Sequence, residues 1–247
     1  MPPRSIKVIT EGATERVVGQ KLHKRGILSQ DATPEPIRWE SKYGSHEGYE
    51  QVIALMQKEL TIETLRAAPQ RQQLLLLFDR EDAASCQTKA AEIAKKLGLS
   101  LRPVADFPNL FEDDSPRLRV MLHIADASIK GINRYDFDGY ILQLLQGPQK
   151  KAIAEALLGD KVQADPGLPD RLLCKAEQEM TDLMKSNGCP WTHAKSWLYA
   201  YMTAFQFRQS HVWFAEQVIE KSPRAEVETV FASLIRAWDL LAQGDPQ

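Results

Sequence analysis

The 247-residue chain lacks several features that would assign it at once. It has three cysteines, Cys86, Cys174 and Cys189, an odd number, far apart and without CxxC spacing. A disulfide framework and a structural zinc site are therefore not expected. It lacks an excess of charge of either sign, with a net charge of −2 at pH 7. No global basic field advertises nucleic-acid binding, although a local basic patch stays open. No apolar run approaches the ~20 residues of a membrane-spanning helix. The opening MPPRSIKVIT shows no charged-then-apolar leader, so a cytoplasmic chain without membrane contact is the expectation. There is no GxxxxGKS/T, no GxGxxG after the first strand, no GxSxG and no HExxH. Motif support is thus missing for P-loop or dinucleotide binding, for a hydrolase elbow and for a zinc protease. Internal repeats and low-complexity segments are absent too.

What is present reads as α/β in the first half. Ser5–Thr10 reads as a strand, Gly12 as a sharp turn that permits unusual φ and close backbone approach, and Thr14–Lys24 as a helix stopped near Gly26. Ser29–His46, with its TPEP, reads as loop, with a short strand over Ile37–Glu40. Tyr49–Leu60 has helical spacing, and APQRQQ reads as a surface linker. Leu74–Phe78 is five apolar residues in a row, typical of a strand buried on both faces of a parallel sheet. Ala83–Leu97 reads as the following helix, ended by Gly98. Leu99–Ala105 and Arg119–Ile124 read as strands, with an acidic loop, Phe107–Pro116, between them.

Past Ala125 only helices are expected: Asp138–Leu145, Lys150–Leu158, Asp170–Lys185, Lys195–Phe207, Val212–Lys221 and Ala225–Leu241. PGLPD before Arg171 reads as a helix entry with a proline and a capping Asp. The expected organisation is an α/β core over residues 1–125 and a helical region over 126–247, packed on or beside it.

Two apolar strands end on carboxylates. KVITEGATER carries Glu11 and Glu15; LLLLFDRED carries Asp79, Glu81 and Asp82. In an α/β fold, groups just past the carboxyl ends of neighbouring parallel strands converge on one crevice. If these strands are neighbours, four or five carboxylates face one small volume. That is costly unless protons or a divalent cation neutralise them. In an extended segment Asp79 and Glu81, two apart, share a side and can face one ion. Glu15 points back toward the N-terminus of its helix and so toward the same crevice. Helix-dipole pairing is the plainer role for Glu15 and Asp82.

EGATE after a first strand and DRE after a later buried strand resemble the TOPRIM superfamily. The EGxTE form is closest to the overcoming-lysogenisation-defect nucleases. It also resembles small stand-alone TOPRIM-like proteins of uncharacterised function, some encoded beside ATPases in bacterial defence operons. The resemblance spans roughly residues 5–125. It implies a TOPRIM-like (Rossmann-like), mostly parallel sheet flanked by helices, with a helical C-terminal part. Glu11 and Asp79 would be catalytic; Glu11, Glu15, Asp79 and Glu81 would hold Mg²⁺ or Mn²⁺; the substrate would be DNA or RNA. Glu81 stands where the family has Asp. The implied activity is a metal-dependent phosphodiesterase or nuclease acting on nucleic acid. Its rival, to which the setting of phage defence belongs, is a degenerate interaction module working with a partner ATPase, and a small-molecule phosphohydrolase is a third reading.

Other candidates have plainer readings. Asp136 and Asp138 in RYDFDG precede a helix, where an Asp cap is expected; Lys130, Asn133 and Arg134 nearby can contact phosphate. Some related nucleases use a downstream lysine, to which Lys195 corresponds only by its order in the chain, and a surface lysine is the expectation. Trp197, Tyr201 and Phe205 step by four with Leu198 and Met202 beside them, which describes a buried helix better than a base-stacking platform. His193 and His211 have no companions at metal spacing. Cys86 sits at a helix start, a position that can lower a thiol pKa.

Overall fold

The computed structural model describes residues 4–37, 40, 41, 44, 45, 48–188 and 192–243. The chain forms two compact units: Met1–Asp126 with Ala232–Gln247, and Ala127–Phe231. Among the described residues no helix is long and apolar enough to cross a membrane.

The first unit is a mixed α/β layer structure. In chain order it runs β1 Arg4–Thr10, α1 Ala13–Lys24, β2 Ala32–Pro36, β3 Glu40–Ser41, β4 Gly44–Ser45, α2 Tyr49–Glu59, α3 Ile62–Ala67, β5 Gln72–Asp79, α4 Cys86–Leu97, β6 Arg102–Val104, β7 Phe107–Asp114 and β8 Leu118–Ala125. Six strands make one sheet in the order β2-β1-β5-β8-β7-β6. The pairs β1–β2, β1–β5 and β5–β8 are parallel, whereas β7–β8 and β6–β7 are antiparallel. This is a Rossmann-like, mostly parallel sheet flanked by helices. The two-residue segments β3 and β4 pair with each other.

The apolar runs explain the layering. Leu74 to Phe78 on β5 and Val120 to Leu122 on β8 are almost wholly buried, as strands covered on both faces must be. One row, including Ile9, Leu74, Leu76, Phe78, Val120 and Leu122, packs under α2, α3 and α4. On the other face Val8, Leu75 and Leu77 meet α1 and a returning helix, α13 Ala232–Ala242, which brings Leu234 and Trp238. The Trp238 indole N–H donates to the Ser29 carbonyl at 2.9 Å, and its ring lies 5.6 Å from His23.

The structure departs from expectation in four places of this unit. TPEP is not loop but the edge strand β2, whose Pro34 and Pro36 pair with Ile6 and Val8. An edge strand tolerates residues without an N–H. The expected short strand over Ile37–Glu40 lies largely outside the described residues. Ahead of APQRQQ the chain forms an unexpected short helix, α3, capped by Thr61, which accepts from the Thr64 N–H at 3.1 Å, and the last two residues of APQRQQ, Gln72 and Gln73, already belong to β5. Helix α4 starts at Cys86 rather than Ala83 because Ser85 caps it, accepting from the Thr88 N–H at 3.1 Å. The acidic stretch Phe107–Pro116 is strand β7, antiparallel to β8, because arginines neutralise its carboxylates. Glu112 pairs with Arg119 at 2.6 Å, Asp113 with Arg66 at 3.0 Å, and Asp114 with Arg71.

The second unit is helical, as expected: α5 Phe137–Gln146, α6 Lys150–Leu158, α7 Lys161–Ala164, α8 Leu168–Cys174, a π-helical turn Lys175–Glu179, α9 Met180–Ser186, α10 Ala194–Ala204, α11 His211–Lys221 and α12 Arg224–Val230. Asp170 does not cap a helix; α8 starts ahead of it, with Gly167 at the cap and Pro169 in the first turn. The expected single helix Ala225–Leu241 breaks between α12 and α13, and its second part belongs to the sheet unit. Leu198, Tyr201, Met202 and Phe205 are buried, while Tyr199 and Trp213 are nearly half exposed. The Tyr201 hydroxyl donates to Glu177 at 3.1 Å, and Lys150 pairs with the same carboxylate at 2.8 Å.

Candidate metal centre

The chain runs from β1 outward to β2 and then crosses to β5 on the other side of β1. That makes the β1–β5 gap the switch point of the sheet, where open α/β sheets place their ligand crevice outside the strands' carboxyl ends. Glu11 follows β1 and Asp79 ends β5 at this gap. The ladder carries on past β1, with the Glu11 N–H donating to the Leu77 carbonyl at 3.1 Å.

Glu11, Asp79 and Glu81 come together here. One carboxylate oxygen from each lies within 4.8 Å of the others. Glu11 is buried, and Asp79 and Glu81 are half-buried. Oε2 of Glu11 accepts the Asp79 backbone N–H at 3.1 Å. The backbone N–H of Tyr49 also donates to this carboxylate. The Glu11 carbonyl accepts the Gly48 N–H at 2.8 Å. Gly48 has φ +100°, so glycine suits the tight entry into α2 that brings these groups to Glu11. Burial, the largest effect, pushes the Glu11 pKa above its ordinary value, and the Glu81 charge pushes the same way. The two backbone N–H groups and the Lys89 charge oppose them.

The route by which Glu81 arrives differs from simple alternation. Glu81 has φ +58°, left-handed and uncommon for a residue with a side chain. Backbone reversal after β5, rather than an extended i, i+2 stagger, brings its carboxylate to the group.

Glu15 lies outside this group of three. It is buried one turn into α1, with its carboxylate against Gly12. A Cβ on residue 12 would stand 3.0 Å from Glu15 Oε2. Gly12 itself is extended, φ −144°, so close approach and not unusual φ is its reason. Asp82 is exposed and outside the group. Asp136 caps α5, accepting the Gly139 N–H at 3.0 Å, and Asp138 is buried in that helix's first turn. Lys195 is exposed on α10.

Sequence reasoning missed three charged residues on or after the neighbouring elements, of which Lys89 acts on Glu11. Lys89 is buried on the apolar face of α4 beside Cys86, Ala90 and Ile93, with Nζ 3.6 Å from the Tyr49 ring centroid. A lysine inside an apolar helical stripe was its signal. Asp126 follows β8 as Asp79 ends β5, an apolar run closing on a carboxylate. Arg80, inside the DRE motif itself, pairs with Asp126. The Cys86 thiol sits at a helix start, a position that can lower a thiol pKa, yet it is pushed up to about 12 by burial and by the Asp126 carboxylate.

No family model matches the chain, and no curated protein matches it. Among solved structures, the crystal structure of a hypothetical protein from Pyrococcus horikoshii OT3 is similar, with a TM-score of 0.54 and 10% sequence identity, covering 97% of this chain and 98% of that one. The likeness is one of fold.

Proposed function

We propose that this chain is a TOPRIM-like protein whose Glu11–Asp79–Glu81 group holds Mg²⁺ or Mn²⁺ and serves phosphodiester hydrolysis on DNA or RNA. One observation carries the reading: three carboxylates from two adjacent parallel strand ends meet within 4.8 Å at the switch point. Oxygens bound to one such cation at ~2.1–2.4 Å lie at most ~4–5 Å apart, so the spacing fits a single coordination sphere. The chemistry of the set, oxygen only and anionic, suits a hard cation.

Within this reading Asp79 and Glu81 hold the cation, and Glu11 binds it or takes the proton of the attacking water. Burial gives Glu11 the raised proton affinity a base needs. Glu15 is the fourth candidate ligand. A bound cation supplies positive charge for the phosphoryl oxygens. Purified full-length protein with Mn²⁺ or Mg²⁺ should cut labelled single- or double-stranded DNA or RNA. Glu11→Gln and Asp79→Asn, shown to be folded by circular dichroism, should lose on the order of 10²–10⁴-fold in rate. Full activity in either variant sinks the reading.

A second reading is a TOPRIM-shaped interaction module docking a partner ATPase. Glu81 in place of Asp and the net charge of −2 favour it. Its signature is an inactive wild type that co-purifies with an ATPase and keeps that association in Asp79→Asn.

A further inference from the structure

We infer that Lys89 is the phosphate-holding group of the crevice, its ammonium donating to a non-bridging oxygen of the phosphoryl group brought to Glu11, Asp79 and Glu81. The inference rests on the reading that these carboxylates bind a cation and serve a phosphodiester. It adds the protein group that meets the substrate's own charge.

A buried charge is ordinarily paired and hydrogen-bonded, because leaving water is costly. Lys89 is only 6% exposed, yet among the described residues it has no ion pair and no hydrogen bond. What it has is the face of Tyr49, with Nζ 3.6 Å from the ring centroid. A π face attracts the charge but accepts none of the ammonium's donors. The acidic groups that feel this charge are otherwise engaged. Glu92 accepts from the Tyr49 hydroxyl at 2.9 Å and pairs with Lys96 at 3.0 Å. Glu11 takes the backbone N–H groups of Asp79 and Tyr49, and the Lys89 charge acts on it without ion-pair contact.

Tyr49 places the lysine at the crevice. Its backbone N–H bonds the Glu11 carboxylate, and its ring carries the Lys89 ammonium. Lys89 lies in the first turns of α4, the helix that follows Asp79 and Glu81, and helical side chains lean back toward the helix start. A phosphodiester brings further negative charge to carboxylates that a divalent cation only partly neutralises. A fixed positive group beside it offsets that repulsion and needs no rearrangement to do so. Lysine suits the place as a compact point charge with rotatable donors, and phosphoryl oxygens supply the acceptors it lacks.

The test is equilibrium dialysis of radiolabelled orthophosphate against the full-length protein with Mg²⁺, beside a Mn²⁺ titration read by electron paramagnetic resonance. Wild type should bind phosphate. Lys89→Met, shown to be folded by circular dichroism, should bind it roughly 10–100-fold more weakly while taking up Mn²⁺ at least as tightly. Unchanged phosphate affinity in Lys89→Met makes the lysine a mere counter-charge to Glu11 and overturns the inference. A wild type that binds Mn²⁺ but no phosphate overturns it too, and in both cases the cation site stands. No Mn²⁺ in wild type overturns the cation reading and this inference with it. Phosphate held through Lys89 by a protein that cuts neither DNA nor RNA upholds the inference and sinks the nuclease activity. Should Lys89→Met fail to fold, wild type labelled with ¹⁵N at lysine Nζ decides. Phosphate with Mg²⁺ should shift the ammonium resonance of slowest proton exchange, the mark of a buried lysine, and an unmoved resonance overturns the inference.

Discussion

Two acidic stretches of one sheet make a useful contrast. In FEDD on β7, Glu112, Asp113 and Asp114 each meet an arginine, from β8, α3 and the segment before β5. Asp113 accepts the Ser100 N–H at 2.7 Å as well. In the crevice, Glu11 is held by two backbone N–H groups and crowded by Glu81. The first arrangement is electrostatically closed and builds a strand. The second leaves a buried carboxylate that binds a proton more readily than usual, which is the condition a cation would exploit. Acidic character alone separates neither; the partners do.

Removing an arginine should break the closed side first. Arg66→Ala leaves Asp113, whose side chain is 5% exposed, with a backbone N–H but without its ion pair. Breaking a buried pair costs ~3–5 kcal/mol. Because the Arg66 side chain is 37% exposed, a loss of about 2 kcal/mol in urea unfolding is expected, and Asp113→Asn/Arg66→Ala should recover part of it.

The crevice side should respond to pH with the opposite logic. The raised Glu11 pKa means that the folded, metal-free protein keeps a proton the unfolded chain has released above its ordinary value of 4.5. Its stability should fall as pH rises from 4.5 through the folded pKa. Glu11→Gln should flatten this slope and leave the metal-free protein at least as stable above that window, as measured by thermal unfolding from pH 4 to 8. The smallest effect belongs to the outer rim of β7. Arg71→Ala should cost less than about 1 kcal/mol, because half of the Asp114 side chain is in solvent.

The same contrast shows how far the sequence could be read. Leu74–Phe78 read as a buried strand from its short apolar run and abrupt polar ending, and two apolar runs ending in Glu11 and Asp79 pointed to one crevice if they paired side by side, as β1 and β5 do. The strand β7 was illegible because Glu112, Asp113 and Asp114 look like loop until Arg66, Arg71 and Arg119 arrive from distant segments. Edge strand β2 was hidden by prolines that only an edge accommodates. The φ of Glu81, the burial of Lys89 on α4 and the pairing of Arg80 with Asp126 are set by tertiary packing, and local spacing carries little trace of them. The last helix reads as part of the helical region, yet Leu234 and Trp238 cover the sheet.

On the proposed reading the Glu11 crevice accepts a cation, whereas the β7 stretch is closed to one by its arginines. Thermal unfolding at pH 7.5 with and without Mn²⁺ tests it most directly. At about 100 times the dissociation constant, a bound ion adds ~2.7 kcal/mol. A clear rise in Tm is expected for wild type and for Asp113→Asn/Arg66→Ala, and none for Glu11→Gln or Asp79→Asn. An equal rise in Glu11→Gln and wild type, or no rise in wild type, would contradict it.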